Sequence, residues 1–133
     1  MAARPSSAAP LAVLVVDDSA VSRYVLASIV ESLGHRCRVA AGGEMALAML
    51  LNRPADVVLM DAVMPGLDGF ATARAVRALP AGQRPRAIIG VSAQTGARET
   101  AAFRAAGADT VLAKPVALDH LVAALDAAMA EAS

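Results

Sequence analysis

Four apolar runs in the chain stop at side chains that can do chemistry. Asp17 and Asp18 follow the run 11–16, Asp61 ends 56–61, Ser92 ends 86–92, and Lys114 follows 110–113. Three carboxylates brought into one crevice repel one another, and their pKa values rise unless a cation neutralises them. Oxygen-only ligands suit a hard ion, Mg²⁺ or Mn²⁺ in its place, which keeps several waters and takes one or two carboxylates plus phosphate oxygens. A carboxylate is also a nucleophile toward phosphoryl groups. Lys114 can neutralise charge on a transferred phosphoryl group and Ser92 can donate to one of its oxygens, with the metal supplying the remaining positive charge. Taken singly these residues say little. An Asp-Asp pair after a strand makes an ordinary turn and helix cap, and a lone lysine is by default a surface charge. The set becomes informative only if the fold brings the run ends together.

The elements between these residues predict that it does. The run 11–16 (LAVLVV) is continuously apolar, as a strand covered on both faces requires. A helix follows over 19–33, with Val25, Leu26, Ile29 and Leu33 as its core stripe and Gly34 as its C-terminal cap. Residues 35–40 alternate, as an edge strand does, and 43–52 is a helix stopped by Pro54. Strand 56–61 is again buried; helix 68–79 is capped by Asp68. Strand 86–92, helix 96–106 closed by Gly107, strand 110–113 and helix 117–130, with Asp119 in its first turn, complete the series. Five strand–helix units imply a parallel sheet with helices on both faces and right-handed crossovers. All the reactive run ends then share one edge, where open α/β sheets bind ligands.

Composition removes other classes. The 133 residues fit one domain, Lys plus Arg equals Asp plus Glu at twelve each, and one Tyr and two Phe leave no stacking platform for single-stranded nucleic acid. The balanced charge points to neither nucleic acid nor an anionic membrane. No apolar run approaches the ~20 residues of a membrane span. The start resembles a secretion signal, with Arg4 ahead of an apolar stretch, but that stretch runs straight into Asp17-Asp18 without a small-residue cleavage site. We read residues 1–10 as a flexible tail or linker, 11–131 as the domain, and the location as cytoplasmic. Cys37, the one cysteine, forms no internal disulfide.

The motifs LVVDDS (14–19), VLMDAVMPGLDG (58–69), GVSAQ (90–94) and AGADTVLAKP (106–115) resemble, in order and over about residues 11–130, the receiver domain of two-component response regulators and hybrid histidine kinases. The resemblance implies a flavodoxin-like sheet in order 2-1-3-4-5. It makes Asp61 the residue that accepts a phosphoryl group from a phosphohistidine, borne by a histidine kinase or a histidine-phosphotransfer protein. It implies Mg²⁺ bound by Asp18, Asp61 and the backbone carbonyl of Val63, with Asp17 acting through a water. Ser92 and Lys114 take the phosphoryl-stabilising positions, Ala93 leaves room beside them, and Met64-Pro65-Gly66 forms the adjoining loop. Lys114–Pro115 is expected to be cis. The family's Tyr or Phe three residues before the lysine is Val111 here, so an aromatic switch is missing. The stretches VDDSAVSRYVL and AGADTVLAKP lean toward the hybrid-kinase subgroup.

Other readings fit less well. A haloacid-dehalogenase-type phosphatase wants its two aspartates one residue apart after the first strand, and here they are adjacent. A flavodoxin-like cofactor binder needs a Gly- and hydroxyl-rich phosphate loop where this chain has an acidic pair. A receiver that serves only as an interaction module would not need the full acidic set, Ser92 and Lys114. For the partner surface, Val21, Tyr24 and Ser28 share a stripe of the first helix that points away from the core, and Val116 follows the Lys114–Pro115 turn. Val21, Tyr24 and Val116 are therefore the expected docking residues.

Overall fold

The computed structural model describes residues 10–130, so the expected tail over 1–10, apart from Pro10, and residue 131 lie outside the described residues. The elements run β1 (Ala12–Val16), α1 (Ala20–Ser32), β2 (Arg36–Ala40), α2 (Gly43–Asn52), β3 (Val57–Asp61), α3 (Gly69–Arg77), β4 (Ala87–Ser92), α4 (Ala97–Ala106), β5 (Thr110–Ala113) and α5 (Leu118–Ala130). The sheet order is β2-β1-β3-β4-β5 and every pairing is parallel, as expected.

The alternation of side chains along each strand divides the core into two halves. Leu14, Val16, Val58, Met60 and Ile88 face Leu50 of α2, Val76 of α3 and Phe103 of α4. Val13, Val15, Leu59 and Ile89 face Leu26 and Val30 of α1 and Leu121 and Leu125 of α5. β3 and β4 are buried at every position, which explains why their sequences run apolar without a polar break until the last residue. β2, at the sheet edge, is the strand that alternates.

Local signals set the helix ends. Ser19 caps α1 by accepting from the backbone N–H of Ser22, and Asp68 caps α3 by accepting from that of Ala71. Gly34, at φ +93°, closes α1: its N–H bonds the Glu31 carbonyl and that of His35 bonds the Val30 carbonyl. α3 stops two residues before the expected end, because Leu79 precedes Pro80 and a residue before proline avoids helical backbone. A 3-10 turn over Ala81–Gln83, not foreseen in the sequence, follows that proline.

The stripe expected for α1 needs one correction. Leu26 is buried and Ile29 and Leu33 pack against the core, but Val25 is 47% exposed and Val30 takes the interior position. Val25 sits on the flank of the helix, facing the turn after β5 rather than the sheet.

Gly69 brings α3 against the acidic end of β3. Its N–H bonds the Ala62 carbonyl, and a Cβ at this position would lie 2.1 Å from the Asp61 carbonyl oxygen and 2.8 Å from Ala62 Cα. Both obstacles are backbone, so the helix itself must move. Gly82, where a Cβ would meet nothing within 4 Å, is the natural control. Gly69→Ala should therefore lower urea-unfolding stability by about 1–3 kcal/mol through overpacking, while Gly82→Ala changes it by less than about 0.5 kcal/mol.

Candidate functional site

The acidic residues meet where β1 and β3 end side by side. Val16 pairs with Met60, so Asp17 follows one strand at the level where Asp61 ends the next. Asp61 in turn pairs with Val91, which places Ser92 one residue further along β4, and Ser92 pairs with Ala113 just before Lys114. Carboxylate oxygens of Asp17, Asp18 and Asp61 all lie within 4.8 Å of one another. Asp17 and Asp61 are buried and Asp18 is exposed.

Each side chain is held differently. Asp17 is engaged through both oxygens: Oδ1 accepts from the Ser19 backbone N–H at 2.9 Å and Oδ2 from Lys114 Nζ at 3.2 Å. Lys114 also reaches Asp61 Oδ1 at 3.1 Å, so one ammonium bridges the two buried carboxylates. Asp18 takes no part in that bridge, and its carboxylate faces the other two from the solvent side. Ser92 is buried, and its Oγ accepts from the Gln94 N–H at 3.0 Å, which leaves the hydroxyl proton for donation.

The electrostatics follow from burial. Desolvation pushes the Asp61 carboxyl above its ordinary value; the Asp17 and Asp18 charges add to this, and the hydrogen bond and charge of Lys114 only partly oppose it. For Lys114, burial disfavours the charged form, but the hydrogen bonds and charges of Asp61 and Asp17 outweigh it and hold its pKa above the usual lysine value. The two directions are compatible: the lysine gains two anions, whereas Asp61 gains one cation against two like charges and a dry wall.

The remaining expected residues are placed as follows. Lys114–Pro115 is cis. Val63, two residues after Asp61, is 78% exposed at the rim. Val21 and Tyr24 are 74% and 75% exposed on α1. A groove of about 390 Å³ between α1 and the turn after β5 is lined by Val21, Val25, Val91, Pro115 and Val116, and by Lys114, which it shares with the acidic crevice. Val111 is half-buried opposite Gly90, and the aromatic contact nearby is between Phe70 of α3 and Phe103 of α4, with ring centroids 4.7 Å apart. Sequence reasoning missed two residues. Val25, expected in the core stripe, lines the groove instead. Arg23 donates from Nη1 to the Asp17 carbonyl at 2.9 Å, a contact that no spacing rule announces.

A doubly wound sheet with an acidic, lysine-bridged crevice at its switch point defines an open α/β domain whose ligand site is built for an oxygen-bound cation. The chain belongs to the response regulator receiver domain family, whose model matches residues 13–126. It is 38% identical over 109 residues, 82% of the chain, to the sensor histidine kinase RcsC of Salmonella typhi. It is 39% identical over 127 residues, 92% of the chain, to the virulence sensor protein BvgS of Bordetella pertussis. The chain spans only 11% and 10% of those two relatives. The receiver domain of the sensor histidine kinase PA1611 from Pseudomonas aeruginosa has the same fold, with a TM-score of 0.80 and 32% identity over 92% of this chain and 99% of that one; its structure has a magnesium ion coordinated in the active site cleft. Among the described residues no helix is long and apolar enough to cross a membrane.

Burial and the Asp17 and Asp18 charges, only partly offset by the Lys114 bridge, disfavour the Asp61 carboxylate in the absence of a divalent cation. Asp61→Asn removes a carboxylate that burial and two neighbours disfavour, so in metal-free buffer its thermal midpoint should equal or exceed that of the unsubstituted protein. Mg²⁺ should then raise the midpoint of the unsubstituted protein but raise that of Asp61→Asn much less. Calorimetry with and without a chelator checks both halves.

Proposed function

We propose that the domain, over about residues 11–131, accepts a phosphoryl group from a phosphohistidine onto Asp61 and passes the change on to its partners, as a single-domain regulator or as one part of a hybrid histidine kinase. The observation that carries this is the three-carboxylate crevice in which Lys114 bridges Asp17 and Asp61. The donor set is all oxygen and suits Mg²⁺, or Mn²⁺ in its place. Asp18, Asp61 and the backbone carbonyl of Val63 would hold the ion, with Asp17 contributing through a water. When bound, the ion supplies the positive charge that lets a phosphate approach three carboxylates.

The chain's own residues account for the rest. An Asp61 oxygen attacks phosphorus; the new O–P bond forms as the P–N bond breaks, and the imidazole nitrogen leaves with the bonding pair. Lys114, already within reach of Asp61, neutralises charge on the transferred group, and Ser92 donates its hydroxyl proton to one of its oxygens. The acceptor is consumed and must be dephosphorylated before it reacts again, so the domain is a reaction partner with slow self-hydrolysis rather than a turnover enzyme. A carrier that presents phosphohistidine must cover the crevice rim, where the groove offers Val21 and Val116 and the outer face of α1 offers the exposed Tyr24 as contacts. A histidine kinase or histidine-phosphotransfer protein is therefore the partner, and the cytoplasm the place of the reaction.

Incubation with acetyl phosphate and Mg²⁺ should add one phosphoryl group by mass spectrometry, absent in Asp61→Asn and in the presence of a chelator; equal labelling of Asp61→Asn would refute the assignment. Asp18→Ala should weaken Mg²⁺ binding more than Asp17→Ala does, since a direct ligand contributes more than one acting through water.

For docking, Val21→Asp and Tyr24→Ala should slow transfer from the cognate phosphodonor protein while labelling by acetyl phosphate stays near the unsubstituted level. Unchanged protein-to-protein transfer in both variants would rule out this surface.

A further inference from the structure

The carbonyl of Asp17 lies at a break in the backbone hydrogen bonding. β1 ends at Val16, α1 begins at Ala20, and the Asp17 N–H already bonds the Ala40 carbonyl. The Asp17 oxygen thus falls between the sheet ladder and the helix ladder, with no backbone donor due from either. Arg23, one turn into α1, fills the gap. Its Nη1 donates to that oxygen at 2.9 Å, while its own backbone N–H bonds the Ser19 carbonyl at 2.9 Å. Arg23 makes no ion pair within 4.0 Å among the described residues, although its guanidinium reaches the backbone of the acidic crevice. Its contact with the site runs through that backbone.

We propose that Arg23 is a positioning residue for the acidic crevice: its guanidinium clamps the Asp17–Ser19 turn and so fixes the directions of the Asp17 and Asp18 carboxylates. The turn has two further ties, the Ser19 N–H on Asp17 Oδ1 and the Asp17 Oδ2 contact with Lys114. Both hold Asp17. Asp18, exposed and outside the lysine bridge, gets its orientation only from the backbone on either side. The clamp therefore matters most for the carboxylate with the fewest other restraints. This inference rests on the phospho-acceptor reading for its consequence, but the clamp itself is a property of the metal-free chain.

Two effects of Arg23 on a cation have opposite signs. As a positive charge beside the crevice, it repels a divalent ion, so removing it would tighten binding. As a clamp, it pre-orders the ligands, so removing it would weaken binding. Because the signs are opposite, the direction in which Mg²⁺ affinity moves in Arg23→Met and Arg23→Gln tells which effect dominates, with Tm and far-UV circular dichroism confirming the fold. In metal-free protein, ¹⁵N order parameters of Asp18 and Ser19 should fall from about 0.85 toward about 0.6. Mg²⁺ affinity should drop by about tenfold, the lower end of what supporting residues contribute at metal sites. Unchanged order parameters, or tighter Mg²⁺ binding, would overturn the proposal. If the unsubstituted chain bound no Mg²⁺, the phospho-acceptor reading would fail and the order parameters alone would decide the clamp.

Discussion

The structure is organised around the repulsion between carboxylates at the ends of β1 and β3, and the one ammonium that holds them together. Asp17 and Asp61 are buried, and among the described residues the charge that pairs with both is Lys114. Burying these carboxylates is costly, first through desolvation and then through their mutual repulsion, and a lysine shared between them offsets only part of that cost. The raised Asp61 pKa is the mark of the remainder. A fold selected for stability alone would place apolar residues here, as it does one residue earlier in β1 and throughout the rest of β3. The polar interruption leaves the crevice under-neutralised, which is the state in which an oxygen-donor cation site would gain most from its ion.

Apolar packing away from the charge sets the strand register that brings the crevice residues together, and polar contacts then hold the individual side chains. The parallel register puts Asp61 level with Val91 and leaves Ser92 one residue beyond, so the hydroxyl and the carboxylate end on neighbouring strands without any contact of their own to align them. The register is fixed by side chains that fill the two half-cores, since a slip of one residue would turn Leu59 and Ile89 to the wrong face. Gly69 adds the close approach of α3 to the same strand end.

This division explains what is legible in the sequence. Strand ends are legible because a continuous apolar run broken by Asp, Ser or Lys is a visible event, and five strand–helix units fix which edge those breaks share. The ends of α1 and α3 are legible from Ser19, Gly34 and Asp68, whose side chains or missing side chain do the capping directly. Val25 escapes because a helix stripe drawn from apolar residues assumes one buried face, and α1 has two apolar neighbours: the sheet beneath it and the turn after β5 beside it. Arg23 is invisible for a different reason. Its partner is a backbone carbonyl, and every residue has one.

The missing aromatic at Val111 bears on how a change at Asp61 would leave the site. Val111 is small and half-buried opposite Gly90, so no ring stands at β5 to follow Ser92 if that side chain moves. The two phenylalanine rings, Phe70 and Phe103, touch one another across α3 and α4 on the α2-α3-α4 face of the sheet. On the opposite face, the groove between α1 and the turn after β5 shares Lys114 with the crevice itself. A displacement of Lys114 toward a phosphoryl group would alter that groove in a single step, through the side chain common to both. In this chain the shortest physical link between the acidic crevice and that groove is therefore the lysine and the turn that carries it.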